Sequence, residues 1–314
     1  MREPWFWRSR SLTARAATAA LFPAALAYQA GQRLRWSFTR PYRAEIPVIC
    51  IGNATLGGVG KTPFAILVAA LLREKEVKAH FLTRGYGGAL AGPVLADPDR
   101  HDADDVGDEA LLLSRHGPLI VSRNRPAGAK FAAQNGAQAI IMDDGFQNPT
   151  LAKDLSILLT GAGDENSNGA LFPAGPYREA FESAKARADL VVSIGQEKPG
   201  ADFYAWLEPY DAPPQQRVIA FAGIGRPEKF FDMLRGAGFD IAEQIGFPDH
   251  HRFSAAELGV LTKQAAREKA RLICTEKDYM RLPEDFRADV LTLPVAMRIN
   301  DPDGLKQRLM SVIN

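Results

Sequence analysis

The sequence contains the glycine-rich run Thr55-Leu56-Gly57-Gly58-Val59-Gly60-Lys61-Thr62. The mainly apolar segment 46–51 precedes this run, and a helical pattern of apolar residues follows it over 64–72. A strand, a glycine-rich turn and a helix in this order form a phosphate-binding loop, because the backbone N–H groups of the turn and the positive end of the helix dipole converge on one anion. We therefore predict that a nucleotide is bound by Thr55, Gly57, Gly58, Val59, Gly60, Lys61 and Thr62.

Two side chains at the end of the run have distinct expected roles. Lys61 would reach the outer phosphates of the nucleotide, and the Thr62 hydroxyl would bind Mg²⁺. The usual pattern has a glycine where this chain has Thr55, so the match is to the core Gly-x-Gly-Lys-Thr. An ordinary glycine turn is the alternative, but the flanking strand and helix patterns favour nucleotide binding.

Length and composition indicate a globular protein of two domains. The chain has 314 residues, of which 46% are hydrophobic, enough for a large core. The formal charge is only +1, from 38 basic and 37 acidic residues, so no nucleic-acid partner is expected, and no protein partner is implied. Cys50 and Cys274 are the only cysteines, too few for a disulfide framework, which suits a reducing compartment.

The N-terminal part of the chain has a different character. Residues 1–43 contain eight arginines and one acidic residue, and tryptophans flank the uncharged stretch 16–32. That stretch contains Pro23 and is shorter than the roughly 20 apolar residues that span a bilayer. Arginines and tryptophans around an apolar segment predict a helix lying on an anionic membrane surface. The alternative is a helix packed on the protein's own core.

Short apolar segments alternate with helical patterns along the next part of the chain. Because each strand is followed by turn residues and most are separated by helices, the pattern predicts an α/β fold with a doubly wound, mainly parallel sheet of the phosphate-loop NTPase type. The predicted strands are 48–51, 80–83, 119–121, 139–142, 155–159 and 190–194. The predicted helices are 64–74, 107–115, 126–135 and 178–187.

A second, smaller α/β unit follows a change of composition after residue 195, where the polar run Gln-Glu-Lys-Pro-Gly replaces the apolar strand pattern. Residues 204–214 contain prolines and predict an extended, strand-like linker. The unit itself is predicted from strands at 218–222 and 271–274 and from helices at 227–236 and 255–268, with 290–297 returning toward the first unit and a closing helix over 301–312. The expected domains are a membrane-associated segment 1–36, a core 37–203 completed by 298–314, and a linker plus smaller domain 204–297.

Acidic residues stand at two places where chemistry is expected. Asp143 and Asp144 end a buried strand downstream of the phosphate loop, a position where carboxylates hold Mg²⁺; an Asp-Gly turn is the alternative. Asp108 precedes a helical pattern, where it either caps the helix or accepts a proton from an attacking hydroxyl.

Two further segments carry weaker signals. His250 and His251 follow Asp249, so either a proton relay or a solvated loop is expected. The long apolar loop 161–179 suggests a surface for a bulky ligand. It ends in Arg178, a candidate phosphate ligand, and Glu179, a candidate helper at the metal; an exposed ion pair between these two is the alternative.

Taken together, the motifs resemble the tetraacyldisaccharide 4′-kinase family, the lipid A kinases of Gram-negative bacteria. They stand in the family's order and cover nearly the whole chain. The motifs are Gly52-Asn53, 55–63, Arg84-Gly85-Tyr86-Gly87, 105–109, 143–147, 173–179, Asp249-His250 and Thr275-Glu276-Lys277-Asp278.

The resemblance implies a reaction and a location. ATP, with Mg²⁺, would phosphorylate the 4′-hydroxyl of a tetraacyl disaccharide 1-phosphate and so produce lipid IVA in lipid A (lipopolysaccharide) synthesis. The enzyme would sit on inner-membrane lipids at the cytoplasmic face of the bacterial inner membrane, as a peripheral or monotopic protein held by the N-terminal helix.

The resemblance also implies roles for individual residues. Asp108 would be the catalytic base and His250 its partner from the other domain. The metal would be held by Thr62, Asp143, Asp144 and Glu179. The lipid substrate would be bound by Asn53, Arg84, Tyr86, Arg125, Gln147 and Arg178. Tyr177 departs from the family's more usual leucine.

Two other classes of protein compete with this interpretation. Membrane-associated switch ATPases use a related loop with the pattern Lys-Gly-Gly-x-Gly-Lys-Thr, whose first lysine is replaced here by Leu56. A cytosolic small-molecule kinase would not need an arginine-rich, aromatic N-terminus.

Overall fold

The computed structural model describes residues 3–161 and 167–313. Its main feature is a nine-stranded sheet in the order β13-β8-β7-β6-β1-β5-β2-β4-β3, in which β3 and β13 are antiparallel to their neighbours and the other strands are parallel. The predicted doubly wound, mainly parallel sheet is thereby confirmed. The strands are β1 Val48–Asn53, β2 Ala79–Thr83, β3 Val94–Ala96, β4 Leu119–Val121, β5 Ala139–Asp143, β6 Leu155–Gly161, β7 Leu190–Ile194, β8 Phe203–Pro209, β9 Arg217–Ala222, β10 Asp240–Gly246, β11 Arg271–Cys274, β12 Val290–Thr292 and β13 Val295–Ile299.

Helices cover both faces of this sheet and of a second, smaller one. They are α1 Leu12–Phe38, α2 Lys61–Arg73, α3 Ala103–Val106, α4 Asp108–Ser114, α5 Arg125–Gln134, α6 Phe181–Lys185, α7 Pro227–Gly236, α8 Ala255–Glu268, α9 Glu276–Tyr279, α10 Glu284–Arg287 and α11 Pro302–Met310, with a 3₁₀ turn at Trp5–Trp7.

The large sheet is buried on both faces. All six residues of β1 are buried, as expected for a central parallel strand covered by helices on each side. Ile49 and Ile51 pack in the core on the α2 side, while Val48 and Cys50 pack in a separate core on the opposite side. This alternation explains why the first strand is a continuous apolar run rather than an alternating one.

The smaller sheet contains four parallel strands in the order β10-β9-β11-β12. Its central strand β9 has apolar cores on both sides. After β12 the chain re-enters the large sheet as β13, which pairs with β8. The chain therefore crosses between the sheets twice, and the domain bounds given above remain a prediction.

Several elements differ from their predicted form. The predicted strand-like linker does contain a strand, β8, but this strand pairs with β7 and so belongs to the large sheet. The segment 290–297 divides between β12 and β13. The predicted helix 178–187 shortens to α6, because the backbone of residues 176–178 pairs with residues 54–56 instead and Ala180 is extended. Strand β10 escaped prediction since its residues are mostly half-exposed, so its apolar signal is weak.

Helix α1 has one face on the protein and one face exposed. Ala14 and Ala25 are buried, and Tyr28 packs edge-on against Phe172 with ring centroids 5.4 Å apart. The opposite side exposes large apolar residues, namely Leu12, Phe22, Leu26, Leu34 and Phe38. Within residues 3–161 and 167–313, no helix combines the length and apolar character that crossing a membrane requires.

Candidate active site

The phosphate loop connects β1 to α2. Gly57 and Gly60 have φ values of 111° and 98°, a region that residues with a side chain rarely adopt. Space is also short at Gly60, where a Cβ would lie 3.0 Å from the Met297 Cε atom. The turn therefore requires glycine for its path, which brings backbone N–H groups and the α2 N-terminus to one place.

A second segment braces this loop. The Leu56 N–H donates to the Pro176 carbonyl at 2.7 Å, and the Arg178 N–H donates to the Ala54 carbonyl at 2.8 Å. The loop 167–178, which also contacts α1, thus runs beside the phosphate loop like an added strand.

Lys61 and Asn53 lie side by side at the loop. The Lys61 ammonium donates to Asn53 Oδ1 at 3.3 Å and lies 3.7 Å from Asp144 Oδ1. The Asn53 amide in turn donates to the Thr55 carbonyl at 2.8 Å and to its hydroxyl at 3.1 Å. These contacts orient the Lys61 side chain and Thr55, the first residue of the phosphate loop. Asn53 therefore helps to fix the conformation of this loop.

Asp143 and Thr62 fit a Mg²⁺ site. Thr62 Oγ1 donates to Asp143 Oδ2 at 3.4 Å, and Asp143 Oδ1 is buried without a hydrogen-bond partner among the described residues. Burial, with smaller contributions from Glu109 and Asp144, raises the pKa of Asp143 to about 7. A hard cation would satisfy such a desolvated carboxylate, and Mg²⁺ commonly uses one or two protein oxygens plus water and phosphate.

The structure resolves one alternative left open by the sequence. Arg178 does not pair with Glu179 in an exposed ion pair; its Nη1 donates to Asp144 Oδ1 at 2.9 Å and to Oδ2 at 3.2 Å. Burial alone would raise the pKa of Asp144, but the charges of Lys61 and Arg178 outweigh it and lower that pKa. Asp144 is thus an ionised bridge between the two cations.

Glu179 contacts other groups than the predicted metal ligands. Gln147 Nε2 donates to the Asn53 carbonyl at 2.8 Å and to Glu179 Oε1 at 3.0 Å. The other Glu179 oxygen accepts a hydrogen bond from Arg187. The metal role of Glu179 and the substrate role of Gln147 stay predictions.

The remaining predicted substrate residues differ in accessibility. Arg125 is only 4% exposed and donates to the backbone carbonyls of Ser122 and Asp143 at 3.1 and 3.4 Å. Arg84 and Tyr86 are exposed, and the Tyr86 ring lies 5.7 Å from the His250 ring. Tyr86 and Arg84 are therefore available to a ligand, whereas Arg125 is enclosed behind Asp143.

The structure brings Asp108 and His250 together, although 142 positions separate them. Asp108 is the first residue of α4 and is 5% exposed; its carboxylate accepts a hydrogen bond from His250 Nδ1, at 3.1 Å from Oδ2 and 3.2 Å from Oδ1. The Glu109 N–H also donates to Asp108 Oδ1, at 3.0 Å, but the N-cap residue of α4 is Gly107, so Asp108 does not cap the helix. His251 turns away and contacts Glu257.

Two cations beside Asp108 were not among the predicted site residues. Arg281 Nε donates to Asp108 Oδ2 at 2.8 Å. Lys277 donates to Glu109 Oε1 at 2.9 Å, and its ammonium lies 3.5 Å from His250 Nε2. Burial would raise the pKa of Asp108, but His250, Lys277 and Arg281 together hold it well below its usual range. The available sequence signal was the Thr275–Asp278 motif, which contains Lys277 and precedes Arg281 by three residues.

A turn of the smaller unit lies close to the phosphate loop. A Cβ on Gly225 would lie 4.0 Å from the Gly58 nitrogen and 3.5 Å from Asp249 Oδ2. The turn after β9 therefore lies against the glycines of the predicted phosphate loop. The site is lined by both sheets.

Burial of Asp143 predicts an effect of pH on stability. Its folded pKa lies above the unfolded value, so its contribution is fully present below about pH 4 and is lost as pH rises through about 7. In metal-free protein, Asp143→Asn should therefore raise the unfolding temperature relative to wild type, by an amount that grows between pH 4 and 7 and then levels off. Asp144→Asn, which removes an ionised and paired carboxylate, is the matched control and should lower stability at neutral pH. Thermal unfolding scans across this range would contradict the assignment if the Asp143→Asn difference did not change with pH.

Comparison with known proteins identifies relatives over the whole length. A model of the family described as tetraacyldisaccharide-1-P 4′-kinase matches residues 17–314. A tetraacyldisaccharide 4′-kinase of Rhodospirillum centenum is 44% identical over 100% of this chain and 97% of its own length. One of Methylobacterium nodulans is 46% identical over 99% of this chain and 96% of its own.

A solved structure is similar as well. The crystal structure of LpxK from Aquifex aeolicus in complex with ATP aligns with a TM-score of 0.77 and 25% identity, covering 95% of this chain and 99% of that one. The phosphate loop, the acidic strand end and the paired Asp108 and His250 thus occur in a chain whose sequence and fold both match one kinase family. On this basis, the chain belongs to the tetraacyldisaccharide-1-P 4′-kinase family.

Proposed function

We propose that the protein transfers the γ-phosphate of ATP to the 4′-hydroxyl of tetraacyldisaccharide 1-phosphate, producing lipid IVA in lipid A synthesis. Family membership over nearly the whole chain supports the substrate. The contact between Asp108 and His250 supports the reaction type, since a buried carboxylate beside a phosphate loop offers an acceptor for a hydroxyl proton.

The charge arrangement suits phosphoryl transfer. Such reactions pass through a loose transition state, so positioning and charge stabilisation contribute more than covalent chemistry does. Lys61 and the amides of Gly57–Gly60 would stabilise charge on the transferred group. When bound by Thr62 and Asp143, Mg²⁺ would neutralise phosphate charge.

Asp108 would orient the attacking hydroxyl and receive its proton. A carboxylate with a low pKa is a weak base, but a loose transition state needs little deprotonation of the nucleophile before the phosphoryl group transfers. His250 Nδ1–H would hold the carboxylate in place and share the proton's charge. Glu109, next in the chain to Asp108, is close enough to Asp143 to influence its pKa, which supports placing Asp108 near the phosphates.

A test of this function is the transfer of labelled γ-phosphate from ATP to tetraacyldisaccharide 1-phosphate in detergent micelles, with and without Mg²⁺. Mg²⁺-dependent formation of a bisphosphorylated lipid is expected. Release of ADP without lipid product would instead support the switch ATPase, whose signature lysine is absent because Leu56 occupies that position.

His250→Ala should lower turnover by about 10- to 100-fold, because the carboxylate loses a hydrogen bond that holds it but keeps its charge. ATP affinity should change little. Steady-state kinetics with lipid substrate would measure this loss, and His251→Gln, at the neighbouring position, serves as the control. Full activity of His250→Ala would exclude its partnership with Asp108.

We further propose that the protein lies on the cytoplasmic face of the inner membrane through the exposed side of α1. Phe22 and Leu26 project from that side, and Arg15 and Arg33 are exposed on the same helix. Apolar side chains with nearby arginines favour binding to an anionic interface.

The double variant Phe22→Glu/Leu26→Glu should weaken sedimentation with vesicles containing phosphatidylglycerol by about tenfold or more, because burial of each large apolar side chain contributes roughly 1.5–3 kcal/mol. Val260→Glu is the control, since Val260 is also an exposed apolar residue of a helix, in α8. Equal sedimentation of the double variant and wild type would contradict the proposal that α1 binds the membrane.

A further inference from the structure

We propose that Arg281 is a positioning residue for phosphoryl transfer, which holds the Asp108 carboxylate so that one of its acceptor sites faces the substrate hydroxyl. The proposal rests on the kinase function given above and assigns a role to a residue of the smaller unit. It starts from a contact between two side chains that are 6% and 5% exposed, Arg281 Nε and Asp108 Oδ2, at 2.8 Å.

Arg281 is itself held firmly by the smaller unit. Its Nη1 donates to the carbonyls of Gly223 and His251 at 3.1 and 3.2 Å, and lies 3.2 Å from Asp278 Oδ1. Asp278 is fully buried and accepts further hydrogen bonds from the Gly223 N–H and from Thr275. The planar guanidinium therefore has a fixed orientation before it reaches Asp108.

The acceptor sites of Asp108 are nearly all occupied by these donors. An ionised carboxylate has about four lone-pair sites, and three groups donate to Asp108: the Glu109 N–H, His250 Nδ1 and Arg281 Nε. About one site is left for a hydroxyl. The three donors fix which direction that site faces, and Arg281 fixes it from the smaller unit.

A lysine at position 281 could not make the same set of contacts. The Nε and Nη1 atoms of arginine bond different groups at once, whereas a lysine ammonium is a flexible point charge. The neighbouring Lys277 is engaged with Glu109 at 2.9 Å, so it does not substitute for Arg281. The partners of Asp108 have carboxylates beside them in turn: Asp249 Oδ1 lies 3.9 Å from His250 Nε2, and Asp278 Oδ1 lies 3.2 Å from Arg281 Nη1.

The test compares wild type, Arg281→Gln and Arg281→Lys, each with Asp108 intact and with Asp108→Asn. With Asp108 intact, Arg281→Gln should lower kcat by about 10- to 100-fold, the range for loss of a hydrogen bond to a charged group. The dissociation constant for ATP should stay within about threefold, because the residue acts through Asp108 and not on the nucleotide. In the Asp108→Asn background the same change should cost less than about threefold, since two residues acting as a unit are not additive.

Two further readouts separate positioning from mere structural support. Removing the cation raises the pKa of Asp108, so the acid limb of the kcat/KM profile should move to higher pH in Arg281→Gln, and less so in Arg281→Lys, which keeps the charge. Arg281→Lys should nevertheless have a lower kcat than wild type, because a lysine ammonium cannot bond Asp108 and the backbone carbonyls in the fixed geometry of Nε and Nη1. Arg287→Lys is the matched control, since Arg287 donates to the Tyr279 and Met280 carbonyls of the same segment and not to Asp108.

Equal fold losses of kcat in both Asp108 backgrounds would overturn the proposal. If Arg281→Gln does not fold, Arg281→Lys decides: wild-type kcat in that variant overturns the proposal and reduced kcat with unchanged ATP affinity supports it. Absence of lipid product from the wild-type protein would instead contradict the kinase function, a result separate from any difference among the variants.

Discussion

Asp108→Asn should lower kcat for lipid phosphorylation by about 10²- to 10⁴-fold, the contribution expected of a positioned proton acceptor. The asparagine keeps the size of the side chain but removes the negative charge, which would receive the proton and which Arg281 and His250 contact. Binding of ATP should be nearly unchanged, because a group that acts on the attacking hydroxyl stabilises the transition state rather than the bound nucleotide. Single-turnover kinetics and nucleotide titration by calorimetry would measure the two quantities separately.

Asp104→Asn is the matched control for this experiment. Asp104 lies four positions earlier and is exposed, with its carboxylate paired to Arg252 at the surface, and its replacement should leave kcat within about twofold. Equal losses of kcat and ATP affinity in Asp108→Asn would contradict the role of Asp108 as proton acceptor and indicate a general disturbance of the site.

Lys61→Ala should lower kcat/KM for ATP by about 10²- to 10³-fold or more, because the lysine stabilises the charge that the γ-phosphate carries in the transition state. Unlike the previous variant, it should also weaken ATP binding, since in the proposed site the ammonium would contact the phosphates both before and during transfer. In the variant, Asp144 keeps its ion pair with Arg178 but loses the one with Lys61. The predicted nucleotide site therefore becomes more negative, which disfavours binding of the ATP phosphates. Measurements of KM and kcat with ATP and of ATP affinity by titration would test both effects.

Lys75→Ala provides the comparison, because Lys75 is exposed just beyond the C-terminus of α2. It removes the same charge from the protein but at the far end of the helix, so the kinetics should match wild type. A Lys61→Ala enzyme with normal affinity and turnover would contradict the assignment of residues 55–62 as the nucleotide site.

The order of elements around β1 and α2 could be predicted from sequence because it is local. A glycine-rich turn between an apolar strand and a helix can be recognised from residues that are adjacent in the sequence. Parallel strands, in addition, place their C-terminal ends at one edge of the sheet. Asp143 was expected near the loop for that reason, and β5 does pair with β1. The half-exposed strand β10 was missed, since a polar edge strand has little apolar periodicity.

The partners of charged side chains depended on tertiary structure. From sequence alone, Arg178 was paired with its neighbour Glu179 as one alternative, whereas in the fold it bonds Asp144, because the loop before α6 runs beside the phosphate loop. Arg281 had no expected role. Its contact with Asp108 exists only where the two sheets meet.

The sequence by itself thus determined the phosphate loop, the mainly parallel sheet and the acidic strand end, because short-range patterns of glycine, apolar and acidic residues encode them. The pairing of Asp108 with His250 was expected from the family resemblance, whereas only the tertiary structure decided that Arg281 joins them through its contact with Asp108. Asp108 begins α4 in the larger unit, whereas His250 and Arg281 lie in turns of the smaller unit, so the distances between them depend on how the two units dock. That docking is governed by packing and by pairing of buried charges over long separations, which no local pattern in the chain records.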